Sequence, residues 1–289
     1  MSKLTVALGS TRPAFLLLTP TCLLTGIGTA AYSGVELDYQ IIILVFIAAL
    51  SAHASVNLLN EYSDFKSGLD LKTRKTAFSG GSGTLPANPK LSGIVLALGI
   101  VFLLITVGAG LYLAWLKSYW LIVFGVGGVI IILLYTKWIH RWPWICLFSP
   151  GLAFGPIMVM GTHLALTGSI NVLSGVASMV PFFVVNNLLL LNQIPDIEAD
   201  KSVGRNHFAI KYGFDKTVQM HRVLGSGAII VILYGYINGL MPFLSLVAAL
   251  PIAINLKKVN RDNLLQRMAF NVMTAVTAPA LLAGPMLLY

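Results

Sequence analysis

Long apolar stretches alternate with short polar joins along almost the whole chain, and nine of them approach the length of a bilayer crossing. At 1.5 Å per residue, about 20 apolar residues traverse roughly 30 Å of hydrocarbon. On that measure the pattern predicts spans at 14–32, 41–60, 92–115, 119–138, 144–166, 172–194, 218–238, 241–256 and 269–288. The first is too long for the apolar core of a signal peptide and lacks a small-residue cleavage site, so it is read as a retained span. The expected fold is an all-α membrane protein of about nine transmembrane helices enclosing a central cavity, built as one domain over residues 1–289.

Two polar strings stand out because they end apolar stretches. Asn57-Leu-Leu-Asn60-Glu61-Tyr62-Ser-Asp64-Phe-Lys66-Ser-Gly68-Leu-Asp70 closes the second span, and Asn192-Gln-Ile-Pro-Asp196-Ile-Glu198-Ala-Asp200-Lys201 closes the sixth. They hold six of the chain's ten acidic residues. Carboxylates at a membrane edge are costly without compensation, so the clustering suggests a bound divalent cation. Asn57 with Glu61, and Asn60 with Asp64, are i,i+4 pairs that share a helix face. Asn192, Asp196 and Asp200 repeat the spacing as one polar stripe, with Glu198 off it. The candidate metal ligands are Asn57, Asn60, Glu61, Asp64, Asp70, Asn192, Asp196 and Asp200. An all-oxygen donor set with few ligands suits Mg²⁺, which completes its shell with waters and substrate phosphate.

Each string is followed by a long basic loop, and long loops in compact chains tend to be functional. Lys72, Arg74, Lys201 and Arg205 in these loops supply matching Lys and Arg hydrogen-bond donors for substrate phosphate oxygens. Tyr135, Lys137 and Arg141 end the fourth span; they can reach a diphosphate or serve as interfacial anchors beside Trp138, Trp142 and Trp144. Asp64, Asp196, Lys137 and Tyr135 are the candidate catalytic residues. Ser79-Gly-Gly-Ser-Gly83 reads either as an anion-binding nest or as a hinge over the site. His53 and His163, inside spans, read as buried hydrogen-bonded residues, and Asn186 and Asn187 as interhelical contacts or substrate contacts. The strings recur after the second and sixth spans, which allows an internal four-helix pseudo-repeat.

Composition agrees: 57% of residues are hydrophobic and 10% charged, with a mean hydropathy of +0.84. The net charge of +9 does not imply nucleic acid. With alternate loops assigned to one side, eighteen of the nineteen Lys and Arg residues share a face and only Lys117 lies opposite. The positive-inside rule makes that face cytoplasmic. The chain is then expected in the cell inner (cytoplasmic) membrane, with the N-terminus and site loops cytoplasmic and Tyr289 outside. Cys22 and Cys146 read as packing residues.

At these strings the chain resembles the UbiA-type intramembrane prenyltransferases, over essentially its whole length. Asn57-x-x-Asn60-x-Tyr62-x-Asp64-x-x-x-Gly68-x-Asp70 is most similar to the branch that prenylates 1,4-dihydroxy-2-naphthoate on the way to menaquinone. Asp196-Ile-Glu-Ala-Asp200-Lys201-x-x-Gly204-Arg205 and Phe154-Gly-Pro156 fit the same branch. Glu61 stands where many relatives have Asp. The resemblance implies a polyprenyl diphosphate donor, an aromatic acceptor, Mg²⁺ and a lipid environment. It implies ionisation of the allylic C–O bond followed by attack of the aromatic ring. Acceptors of the 4-hydroxybenzoate or homogentisate type are the alternatives within the family, and a cation-coupled transporter is the alternative outside it.

Overall fold

The computed structural model describes residues 3–288 other than Arg74 and Ala77, with side chains from residue 5 onward. Two expectations, Arg74 as a phosphate donor and Tyr289 outside the membrane, lie outside the described residues. Among the described residues nine apolar helices organise the fold: α1 Pro13–Tyr32, α2 Tyr39–Lys66, α3 Pro89–Leu116, α4 Leu121–Leu134, α5 Pro143–Thr167, α6 Val172–Asn192, α7 Phe208–Ile237, α8 Phe243–Asn255 and α9 Leu264–Leu287. Seven are long and apolar enough to cross a membrane; α4 and α8 are shorter than that. The predicted span over 119–138 overran because Tyr135–Trp138 turns out of the helix and Ile139–Arg141 forms a 3₁₀ turn. The first half of α8, Phe243–Ala248, is also 3₁₀, which rises about 2 Å per residue and so gains reach.

Burial follows the logic of a lipid solvent. The most hydropathic span, α3, is the least buried inside the protein (11%), whereas α6 is far less hydropathic and 61% buried. Lipid tails are as apolar as Leu, so hydropathy does not drive a helix to the centre; small and polar residues do. Gly151 and Gly155 of α5 meet α6 so closely that an added Cβ at Gly155 would lie 2.4 Å from the Ser178 carbonyl. The Gly151 N–H donates to Asn186 Oδ1 at 2.6 Å. Asn187 joins a buried polar cluster, with its Oδ1 2.7 Å from His221 Nδ1 and its carbonyl accepting from Asn271 at 2.7 Å. Both asparagines are therefore interhelical contacts. His163 pairs with Thr29 at 3.0 Å, as a buried span histidine should.

The helices that carry the two motifs have different ends. α2 runs 28 residues, about 42 Å and thus some 12 Å beyond the hydrocarbon thickness, so Asn57 to Asp64 all stay helical. α6 stops at Asn192, a turn follows through Asp196, and a short helix resumes at Ile197–Ser202. The single stripe expected over Asn192, Asp196 and Asp200 is therefore broken. Pro195 lacks an N–H and excludes its predecessor from helical geometry.

On the opposite membrane face, Asp38 caps α2 by accepting from the Gln40 and Ile41 amides. Lys117 pairs with it at 3.5 Å. The one base expected on that side thus has a counter-charge beside it.

Candidate functional site

A cavity of about 390 Å³ is walled by α1 to α6 and runs from the motif end into the apolar interior. Leu18, Val45, Phe124, Phe154 and Leu188 line its depth, and both polar strings gather at its mouth. Among the described residues α7, α8 and α9 contribute nothing to its wall; they pack behind α6 and α1. The walls bend where needed. α5 carries a π-helical stretch, Ala153–Met160, containing Pro156, a form of helix frequent at functional sites.

In the first motif, Asn57, Asn60, Asp64 and Asp70 line the cavity. Asn60 Nδ2 donates to Asp64 Oδ2 at 3.0 Å, and Asn60 Oδ1 accepts from Thr136 at 3.0 Å. Asn57 donates to the Thr11 carbonyl at 2.8 Å. Glu61 is fully buried and outside the cavity wall, held by Arg12 at 3.1 Å, the Ser82 amide at 3.1 Å and the Ser82 hydroxyl. In the second motif, Asn192, Asp196 and Asp200 line the cavity despite their broken helix. Asp200 accepts from Arg205 at 2.9 Å and pairs with His207 Nε2 at 2.9 Å.

Arg205 joins the motifs. One guanidinium nitrogen meets Asp200 and the other meets Asp64. Arg12 is the second cation of the cavity wall and one of the eighteen bases that the charge count puts on this face. It is the one non-glycine at positive φ among the described residues (53°). Pro13 bars Arg12 from helical geometry, and such strain persists where surroundings hold it. Tyr135 and His140 also line the mouth, stacked edge-to-face at 4.6 Å. Burial, then the nearby Arg205 charge, holds His140 well below its ordinary pKa, so it is neutral. Lys72, Lys137, Arg141 and Lys201 are exposed and lie outside the cavity wall.

The glycine loop closes over this mouth. Gly80, Gly81 and Gly83 all have positive φ. The Gly80 amide donates to Asp196 Oδ2 at 3.2 Å, as the Ser82 amide does to Glu61. The loop's amides thus do bind anions, and those anions are carboxylates of the two motifs. An added Cβ at Gly81 would sit 2.8 Å from Asp70 Oδ1.

The donor chemistry fits a hard cation. Asp70 Oδ2, Asn192 Oδ1 and Asp196 Oδ1 are buried oxygens without hydrogen-bond partners, a costly condition unless a ligand satisfies them. Burial, then the Glu61 and Asp64 charges, pushes the Asp70 carboxyl up to about 7. Burial, then Asp200, does the same for Asp196, against the opposing hydrogen bond from Gly80. At both carboxyls burial outweighs the cavity cations, Arg12 and Arg205 at Asp70 and Arg205 at Asp196. Among the described residues no three His, Cys, Asp or Glu side chains close into a cage, and Mg²⁺ needs none, since water and phosphate oxygens complete its shell.

A cavity with a charged mouth and a long apolar body, walled by apolar helices, is the form of a membrane protein whose chamber suits an amphiphile with a charged head. Residues 18–276 match the UbiA prenyltransferase family, and the chain belongs to that family. Over 214 residues it is 32% identical to the 1,4-dihydroxy-2-naphthoate octaprenyltransferase of Bacillus subtilis (strain 168), an alignment covering 73% of this chain and 67% of that protein. Its fold is similar to that of a UbiA homologue from Archaeoglobus fulgidus bound to GPP and Mg²⁺, with a TM-score of 0.67, 15% identity, and coverage of 97% of this chain and 99% of that one. An apo UbiA homologue from Aeropyrum pernix K1 is similar too, at a TM-score of 0.65 and 16% identity over 96% and 98% of the two chains. The chain is a multi-pass membrane prenyltransferase, and the transporter alternative falls.

Proposed function

We propose that this enzyme transfers a polyprenyl group from its diphosphate to the ring of 1,4-dihydroxy-2-naphthoate, a step of menaquinone synthesis, with Mg²⁺ at the cavity mouth. The observation that carries the reading is the set of unpaired buried oxygens on Asp70, Asn192 and Asp196 beside two cavity cations, Arg12 and Arg205. The acceptor comes from the naphthoate activity named for the Bacillus relative.

Asp64, Asp70, Asn192, Asp196 and Asp200 would hold the ion, with Asn57 and Asn60 orienting water or phosphate. Magnesium bound there would supply Lewis-acid charge to the departing diphosphate. Arg205 and Arg12 aim N–H groups at the same region and stabilise the oxygens on which negative charge develops. As the allylic C–O bond breaks, its electron pair leaves with the diphosphate, and the acceptor ring attacks the allylic carbon. Loss of a proton, or of CO₂ from a carboxylated ring position, restores aromaticity. The apolar walls around Phe124, Phe154 and Leu188 keep water from the allylic cation. Glu61 serves indirectly, fixing Arg12 and the glycine loop. Lys72, Lys137, Arg141 and Lys201 form a basic rim that draws the diphosphate in; Tyr135 closes the mouth beside His140. The distribution of Lys and Arg supports a cytoplasmic N-terminus and cytoplasmic site loops in the cell membrane.

An acceptor panel tests this. Purified enzyme in lipid, given labelled geranylgeranyl diphosphate and Mg²⁺, should prenylate 1,4-dihydroxy-2-naphthoate in preference to 4-hydroxybenzoate or homogentisate, with products identified by mass spectrometry. Preference for another acceptor would overturn the assignment.

A further inference from the structure

One nitrogen in the apolar depth of the cavity lacks a partner. His53 lies on α2 four residues before Asn57, seven before Asn60 and eleven before Asp64, so the four share one helix face. It sits about 6 Å deeper than Asn57 and about 16 Å deeper than Asp64 along the helix axis. The ring lines the cavity and is 7% exposed. Its Nδ1 is 2.8 Å from the Thr19 hydroxyl, which is itself fully buried on α1. Phe154 packs edge-on against the ring at 4.9 Å. Among the described residues Nε2 makes no hydrogen bond.

The neighbours sharpen the point. Thr106 and Thr162, also on the cavity wall, donate their hydroxyl protons back to helix carbonyls at 2.9 and 2.7 Å and keep no donor for a ligand. His53 has one nitrogen fixed and the other open to the cavity among apolar walls, where a bound ligand that excludes water leaves it unmet unless the ligand brings a polar partner. A prenyl tail is hydrocarbon and cannot satisfy it. A hydroxylated aromatic ring can, and the allylic carbon bonded to the diphosphate must lie just below the motif residues, within one ring's reach of this depth.

We infer that His53 is the specificity-determining contact for the aromatic acceptor, Nε2 forming a hydrogen bond with a ring hydroxyl while Thr19 fixes the imidazole. The contact works in either tautomer. If Thr19 donates to Nδ1, Nε2–H donates to the hydroxyl oxygen; if Nδ1–H donates to Thr19, Nε2 accepts the hydroxyl proton. The inference rests on the aromatic prenyltransfer reading and adds where and how the acceptor docks.

Steady-state kinetics with donor and acceptor varied separately tests it. H53F keeps the ring's shape and removes Nε2, and should raise the acceptor KM about tenfold, the loss of one hydrogen bond, with the donor KM within about twofold. H53Q returns an N–H near the Nε2 position and should recover most of that loss. T19V, which leaves the imidazole in place but unfixed, should raise the acceptor KM by a smaller factor and is read if H53F does not fold. Histidine serving only as interhelical glue predicts lowered thermal stability with unchanged KM values in all three, and that result, or equal rises in both KM values, overturns the inference. Absence of prenylated product from the wild type would instead overturn the underlying activity, so the two failures are distinct.

Discussion

Arg205 is the single residue on which both motifs converge, and its neighbours say what its loss does. Asp64, Asp200 and Arg205 are all largely buried, and removing one member of a buried charge set leaves the others uncompensated. R205Q should destabilise the protein by about 3 kcal/mol, read as a lowered Tm in detergent, and should abolish turnover. D64N and D196N should insert normally and lose at least about 10²-fold in kcat, the scale of removing one charge-stabilising group; near-normal rates in both would refute their assignment. The i,i+4 spacing of Asn60 and Asp64 was readable because both stay on one helix. Arg12, His140 and His207 were not readable, because each reaches the site through long-range folding. Arg12 lies 49 residues from its partner Glu61. Their only sequence signals are a base placed directly before the proline that starts α1 and two histidines in the basic loops.

Elements carry the next layer. The Ser79–Gly83 loop ties α2 to the second motif through Glu61 and Asp196, and three left-handed glycines make that path possible. G81A forces a Cβ into an unfavourable backbone region and against Asp70, at a cost of about 1–2 kcal/mol. It should lower turnover at least about tenfold while helix content by circular dichroism stays constant. The same carboxyls give a pH signature. Asp70 and Asp196 hold protons up to about pH 7 when folded, against an ordinary value of 3.8. Between roughly pH 4 and 7 these two carboxyls bind more protons in the folded state than in the unfolded one, so their contribution to the stability of the metal-free protein falls as pH rises through that window, whereas His140, held neutral, acts in the opposite direction. The Tm of the metal-free wild type measured against a D70N/D196N variant should therefore fall from pH 5 to pH 7.5, and Mg²⁺ at pH 7.5 should raise the wild-type value by mass action; a wild-type-minus-variant Tm that rises with pH would contradict this. Hydropathy revealed the spans at this scale, since lipid tolerates apolar helices wherever they face. It missed the break at Pro195 and the early end of α4, where turn chemistry rather than apolar content sets the ends, while the short eighth span was legible from its 16 apolar-stretch residues at 241–256.

At the scale of the molecule, α1 to α6 form the chamber and α7 to α9 buttress it through the buried Asn187–His221–Asn271 cluster. The proposed orientation rests on charge: Lys117 pairs with Asp38, and the other bases gather in the loops assigned to the cytoplasmic side. Single cysteines in place of Ser118 and Ser202 should therefore label from opposite sides of sealed cells, Ser202 only after permeabilisation; labelling from one side would contradict the orientation. The motif-bearing helices α2 and α6 each pack on the helix that follows them in the chain. The central claim is that both motifs hold one metal–diphosphate group at the cavity mouth. Anomalous diffraction from crystals grown with Mn²⁺ and a farnesyl thiodiphosphate analogue tests it most directly. The account predicts manganese between Asp64, Asp70 and Asp196, in contact with diphosphate oxygens, and manganese bound elsewhere, with diphosphate outside the reach of Arg205, would contradict it.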